Sequence, residues 1–240
     1  MSAPATLTRH CLVTGASRGL GLEFVRQLLT RGDRVVATCR YPGKATALNP
    51  LAGEHPGRLH VLPLDVSDPK SIAELARELA LLDDGAVRLD LLVNNAGVLH
   101  PGERFGAVGA AQLDDSYRTN ARGPFLLAQA LAPSLADGSK VANISSQLGS
   151  IAGLGGFGTP SYAISKAAQN MATALLAHAL AERGITVLAL HPGWVQTDMG
   201  GAGAQVAPAS AVAGLLAVID AATMADSGRF LDHLGQPLAW

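Results

Sequence analysis

Aromatic residues are scarce, 4% of 240 positions, and charged residues make up only 15%, with 18 Lys and Arg against 19 Asp and Glu. A formal charge of −1 supplies no basic stripe for nucleic acid or an anionic membrane, so neither is expected as a partner. Cys11 and Cys39 are the only cysteines. They are too few for a disulfide framework and lack metal-ligand spacing, so no metal is expected either. Both fall in predicted strands, where a thiol serves as a small apolar group. No run approaches the roughly 18 consecutive apolar residues of a membrane span, and Met1 to Arg9 lacks the basic start and apolar stretch of a secretory leader. The expectation is a cytoplasmic protein.

What the chain does have is a 48% hydrophobic fraction, much of it alanine, in a length that suits one α/β domain over residues 1–240. Short β-branched runs alternate with longer Ala/Leu-rich stretches, the pattern of βαβ units around a parallel sheet. Strands are expected near 10–14, 34–38, 59–64, 89–94, 140–145, 185–191 and 229–232. The first runs into a glycine turn and a helix that is apolar at Leu20, Phe24, Val25, Leu28 and Leu29. Further helices are expected at 69–82, 112–137, 161–183 and 208–224. The fold predicted is a doubly wound Rossmann fold of about seven parallel strands with helices on both faces. Segments 97–111 and 192–207 break the alternation after strand ends, where open α/β sheets hold their ligands, and read as crevice walls or lids.

Strand, glycine turn and helix in that order make a phosphate cradle. In Gly15-Ala16-Ser17-Arg18-Gly19-Leu20-Gly21, Gly15 suits the tight turn, Gly19 the backbone's approach to a pyrophosphate and Gly21 close helix packing. The helix N-terminus would carry the anion. The second strand ends Ala37-Thr38-Cys39-Arg40, with no carboxylate to grip a ribose 2′-hydroxyl. Arg40 and Arg18 instead offer guanidinium groups to a 2′-phosphate, which favours NADP(H) while leaving NAD(H) open. Asp65, followed by Val66, is placed either to touch an adenine edge or to cap a helix. Asn94-Asn95-Ala96-Gly97 closes the fourth strand with small residues that let a cofactor lie against backbone, and Asn94 is positioned to tie neighbouring strands.

Tyr162 and Lys166 stand four residues apart, on one face of a predicted helix. A free phenol has a pKa near 10; a lysine cation within about 4–6 Å lowers that by ~1–3 units and would let the pair trade protons near neutrality. Asn120, inside a helix, needs its amide satisfied and suits a local bend with a bound water leading to Lys166. Ser145 and Ser146 end the fifth strand, where one hydroxyl can donate to a substrate oxygen. A serine hydrolase is not expected, because His191, the one histidine at a suitable strand end, has no acid paired with it.

Together these residues resemble the short-chain dehydrogenase/reductase family. The shared motifs are TGxxxGxG at Thr14 to Gly21, NNAG at Asn94 to Gly97, a serine ending the fifth strand, YxxxK at Tyr162 and Lys166, and Pro192-Gly193. Ser146 to Ile151, the sixteen-residue step from Ser146 to Tyr162, and the ending through Trp240 are similar to C-factor and Sniffer-type carbonyl reductases. The resemblance implies Tyr162 as general acid/base, Lys166 as holder of the nicotinamide ribose, Ser146 as substrate-orienting hydroxyl and Asn120 as relay. It also implies cofactor contacts at Pro192, Gly193, Val195 and Thr197. The longer step around 153–160 must bulge beside the crevice, with Phe157, Trp194, and also Phe105 or Met199, as candidate pocket linings.

The function expected is hydride transfer between NADP(H) and a carbonyl or alcohol substrate. The alternative is an NADP(H)-binding signalling or scaffold protein with incidental turnover. A sugar-nucleotide epimerase is disfavoured by the short stretch after Pro192. The long apolar helices suit a homodimer or homotetramer.

Overall fold

The computed structural model describes residues 8–82 and 88–240. Residues 1–7, which carry most of the N-terminal stretch considered above, lie outside the described residues. Seven strands form one parallel sheet: β1 (His10–Thr14), β2 (Arg34–Cys39), β3 (Leu59–Pro63), β4 (Leu89–Asn94), β5 (Leu135–Ile144), β6 (Thr186–His191) and β7 (Phe230–Asp232). Their spatial order is β3-β2-β1-β4-β5-β6-β7. The connecting helices are α1 (Gly19–Thr30), α2 (Leu48–Glu54), α3 (Pro69–Leu79), α4 (Ala110–Tyr117), α5 (Gly123–Leu131), α6 (Pro160–Ala179) and α7 (Pro208–Ala221).

Alternation along each strand explains why both faces are covered. Cys11, Val13, Leu91 and Val93 turn toward Phe24, Leu28, Leu215 and Ile219 of α1 and α7. Their neighbours Leu12, Leu92 and Val141 turn toward Leu75, Leu127 and Leu176 of α3, α5 and α6. Continuous apolar strands of this kind are what a sheet buried on both sides requires. The doubly wound, seven-stranded expectation is borne out.

Two local expectations are corrected. The helix expected over 112–137 is interrupted by a π-helical turn at Arg118–Arg122 and ends at Leu131. Pro133 then sits in a short 3-10 turn, Ala132–Ser134, since proline cannot donate to the helical ladder, and β5 begins at Leu135, well before residue 140. Its pairing shifts register between Leu89 and Leu91, leaving room for Gly138 at φ 77°. Helix α2 is not among the expected helices and forms although it contains Pro50 and Gly53. Among the described residues no helix is long and apolar enough to cross a membrane.

Candidate active site

A cavity of about 560 Å³ opens at the carboxyl ends of the strands, above the place where β1 and β4 lie side by side and the strand order turns outward both ways. The glycine turn forms its floor. Gly15 and Gly19 have φ of 65° and 56°, in the region that favours glycine. A Cβ on Gly15 would lie 2.8 Å from the Ala96 Cα. One on Gly21 would lie 2.3 Å from the Gly15 carbonyl oxygen. Gly21 does not line the cavity, so its part is to let α1 close against the turn. The turn is held from β4: Asn95 Nδ2 donates to the carbonyls of Thr14 and Gly15 at 2.9 and 3.3 Å. The Thr14 hydroxyl accepts from the N–H groups of Asn95 and Ala96, both at 3.0 Å.

Ser17, Arg18, Leu20, Arg40, Asp65, Val66, Ala96 and Gly97 all line the same crevice. Arg40 is exposed. Arg18 reaches across to Asp198 on the loop after β6 at 3.0 Å, a solvent-exposed pair of small energetic worth. Asp65 accepts from the backbone and hydroxyl of Ser67 at 2.9 and 2.7 Å. The cap of α3 is Asp68, which accepts from the Lys70 N–H. Asp65 thus shapes the crevice wall and is not the helix cap. Asn94 is a correction to the expected cofactor contacts. It is buried, its Nδ2 donates to Asn143 Oδ1 at 2.8 Å, and it ties β4 to β5 without lining the cavity.

Helix α6 starts at Pro160, whose fixed φ and missing N–H suit a first helical position. It carries Tyr162 and Lys166 onto the cavity wall, with the two 8% and 3% exposed. Ser146, at the end of β5, lines the same wall, near enough to the phenol to act on its titration. Lys166 Nζ donates to the Ile144 carbonyl and to Gln169 Oε1 at 2.7 and 2.8 Å. It stands 5.5 Å from the centre of the Tyr162 ring. Burial dominates both titrations. It pushes the Tyr162 phenol up to about 12, against Ser146, which works the other way. It pulls the Lys166 ammonium down to about 7. The expected lowering of the tyrosine is therefore corrected: burial disfavours the Lys166 cation as well, and the desolvation of the phenolate prevails.

Asn120 lies within the π-helical turn, fully buried. Its Oδ1 accepts from the Val98 N–H at 2.8 Å; its Nδ2 donates to the Val98 carbonyl and to Ser165 Oγ at 2.8 and 2.9 Å. The side chain thus satisfies itself at a helix bend and does not itself line the cavity. Ser145 is spent on Asn170 Oδ1 at 2.6 Å, which leaves Ser146 as the serine beside the phenol. Gln169 and Ser165 went unrecognised in the sequence. Gln169 lies three residues from Lys166 on the same buried face, and that polar face on an otherwise apolar helix is the signal that marks it.

Pro192, Gly193, Trp194, Val195, Thr197 and Met199 close the far side of the cavity. Thr197 faces Gly19, whose Cβ would lie 3.6 Å from the threonine methyl. Phe157 is a correction: it is 58% exposed, does not line the cavity, and packs edge-on against Phe105 with ring centres 5.7 Å apart. His191 does line the cavity, yet burial holds it neutral, down to about 4. Its Nδ1 has no partner among the described residues, so no serine–histidine–acid arrangement forms.

A glycine cradle at the switch point of a doubly wound sheet, facing a buried tyrosine, lysine and serine, defines a nucleotide-dependent oxidoreductase. The chain belongs to the short chain dehydrogenase family, whose family model matches residues 9–205. Among solved structures it is similar to an NADPH-bound carbonyl reductase from chicken fatty liver, with TM-score 0.92 and 39% identity over 97% of this chain and 99% of that one. It is similar also to the carbonyl reductase Sniffer of D. melanogaster, with TM-score 0.91 and 33% identity over 97% of this chain and all of the other. The C-signal protein of Myxococcus xanthus is 40% identical over 154 residues, 63% of this chain and 93% of that protein. The likeness to C-factor and Sniffer-type carbonyl reductases read from the sequence is borne out.

Proposed function

We propose that this chain is an NADPH-dependent carbonyl reductase whose proton donor is Tyr162. The observation that carries the reading is that Tyr162, Ser146 and Lys166 meet on one wall of the cavity whose floor is the glycine cradle. The dinucleotide fits: Gly15 and Gly19 line the cavity with positive φ, a Cβ at Gly19 would narrow the gap to the Thr197 methyl to 3.6 Å, and the N–H groups at the start of α1 would receive a pyrophosphate. Lys166 and Thr197 would hold its nicotinamide end, and Arg40 with Arg18 the 2′-phosphate. When bound, NADPH supplies the hydride. The chain's own part is to orient the carbonyl through the Ser146 hydroxyl, to donate the Tyr162 proton to the carbonyl oxygen, and to stabilise the resulting phenolate with the Lys166 cation. Asn120 positions the lysine's surroundings through Val98 and Ser165. An NADPH-oxidation screen over aldehydes, ketones, quinones and diketones tests the reading; a chain that binds NADPH yet oxidises it with none of them would overturn it. The signalling alternative has no observation in its favour.

Arg40→Ala is expected to weaken NADPH by about 10- to 100-fold, the worth of a charge-assisted contact to the 2′-phosphate, and NADH hardly at all. Cofactor titration by fluorescence checks this, and equal losses for the two cofactors would assign Arg40 another role.

We propose further that residues 1–240 act as one domain, that the protein is cytoplasmic, in keeping with its two free buried cysteines, and that it pairs through α6. Ile164, Met171 and Leu175 leave an apolar stripe along that helix, each more than half exposed. Light scattering should return a dimer or tetramer, and a monomer at micromolar concentration would refute the pairing.

A further inference from the structure

Helix α6 carries the proposed proton donor in its first turn, two residues after Pro160, and it begins without a cap of its own. The residue before it, Thr159, has left-handed backbone, φ 42° and ψ 56°, and makes no capping hydrogen bond. Such a conformation is strained for a threonine and persists only where its surroundings impose it. The first N–H groups of a helix have no intrahelical partner, and a first turn that frays takes its side chains with it.

The missing cap comes from the loop between β4 and α4. Glu103 Oε2 accepts from the Ser161 N–H at 3.1 Å and from the Ser161 hydroxyl at 2.9 Å. Ser161 itself is 1% exposed, and its hydroxyl also accepts from Ser116 of α4 at 3.2 Å. Two residues further along the same loop, Phe105 meets Phe157, which lies just before Thr159. The loop thus holds the start of α6 from both sides. The second Glu103 oxygen, Oε1, is buried with no hydrogen-bond partner among the described residues. A buried carboxylate oxygen left so is costly and calls for a reason. A local side-chain cap needs extended backbone at residue 159, which the left-handed Thr159 does not have, so the cap must come from elsewhere in the chain.

We infer that Glu103 is a positioning residue for the reaction: it fixes the first turn of α6 and with it the Tyr162 hydroxyl against Ser146. The inference rests on the reading of Tyr162 as proton donor. Glu103 does not line the cavity, so its effect falls on the placement of the phenol and not on cofactor binding.

The test compares wild type, Glu103→Ala, Glu103→Gln and Ser161→Ala for kcat, KM and NADPH affinity, with aromatic aldehydes and quinones as probes. Misplacing a reacting group by about an ångström costs up to ~100-fold. Glu103→Ala should lose about ten- to a hundredfold in kcat, with KM and NADPH affinity changed by no more than about threefold. Glu103→Gln keeps an acceptor oxygen toward Ser161 and should recover most of the rate. Ser161→Ala, which keeps the backbone donor and holds the fold should Glu103→Ala fail to express, should lose less. Wild-type kcat in Glu103→Ala, a glutamine variant no better than alanine, or NADPH affinity falling in step with kcat would each overturn the inference. A wild-type chain that turns over no probe would overturn the reading beneath it, whereas unchanged turnover in the variants would overturn this inference alone.

Discussion

Tyr162→Phe is expected to remove carbonyl reduction, lowering kcat by about 10²- to 10⁴-fold, the usual worth of a positioned general acid, while NADPH affinity stays within a few-fold. The substitution deletes one oxygen from a side chain only 8% exposed, so the ring keeps its packing. The other polar groups near the reacting place cannot replace the proton. Ser146 already accepts from the Leu148 N–H at 3.2 Å and has no base beside it. Lys166 directs two of its three ammonium protons at Ile144 and Gln169. His191 is neutral, with a pKa pulled to about 4. Steady-state NADPH oxidation, paired with cofactor titration, measures both halves; turnover retained in the phenylalanine variant would end the proposed mechanism.

The same titrations fix the sign of the pH dependence. With the phenol near 12, the donor stays protonated throughout the physiological range. Lys166, near 7, is the group that changes state there. Above that pH it is neutral in the free enzyme and no longer stabilises the phenolate left by proton donation. The kcat/KM for reduction, which reports free-enzyme groups, should therefore fall as pH rises through about 7.

Much of this was legible in the sequence, and the reason differs by residue. Strand positions such as Leu12, Val13, Leu91 and Leu92 announce themselves because a parallel sheet covered on both faces needs unbroken apolar runs. Gly15 and Tyr162 are readable because their chemistry constrains residue type at a fixed spacing. What escaped depends on distance along the chain. The polar partners Gln169 and Ser165 have meaning only once β5 and the π-helical turn are brought against α6. Asn94 was read two ways, and only the neighbouring strand decides between them, through Asn143. Phe157 was misplaced because a loop's direction does not follow from its composition; it turns outward to Phe105. The tyrosine pKa was read with the wrong sign because pair spacing shows the charge but not the burial.

The glycine three residues after Ser146 joins what was readable to what was not, and it carries the second large expectation. Gly149 ends the 3-10 turn Gln147–Gly149; its N–H donates to the Ser146 carbonyl at 2.8 Å and its carbonyl accepts from Asn170. A Cβ built there would lie 2.7 Å from the Lys166 carbonyl carbon, 2.9 Å from the Lys166 Cβ and 3.0 Å from the Ala167 nitrogen. These are mostly backbone atoms on the inward face of α6 and cannot swing aside. In Gly149→Ala either the turn moves, taking Ser146 with it, or α6 moves, taking Lys166. Overpacking of this kind costs about 1–3 kcal/mol, which for a chain of this size is a melting-point drop of roughly 2–12 °C. Displacement of two groups at the reacting place should cost about 10²-fold in kcat beyond that. Gly155→Ala, also between Ser146 and Tyr162 but with nothing within 4 Å of its added methyl, should keep wild-type melting and turnover. If Gly149→Ala matched it in both, the contact between the serine turn and the lysine helix would not be what holds the two catalytic groups together.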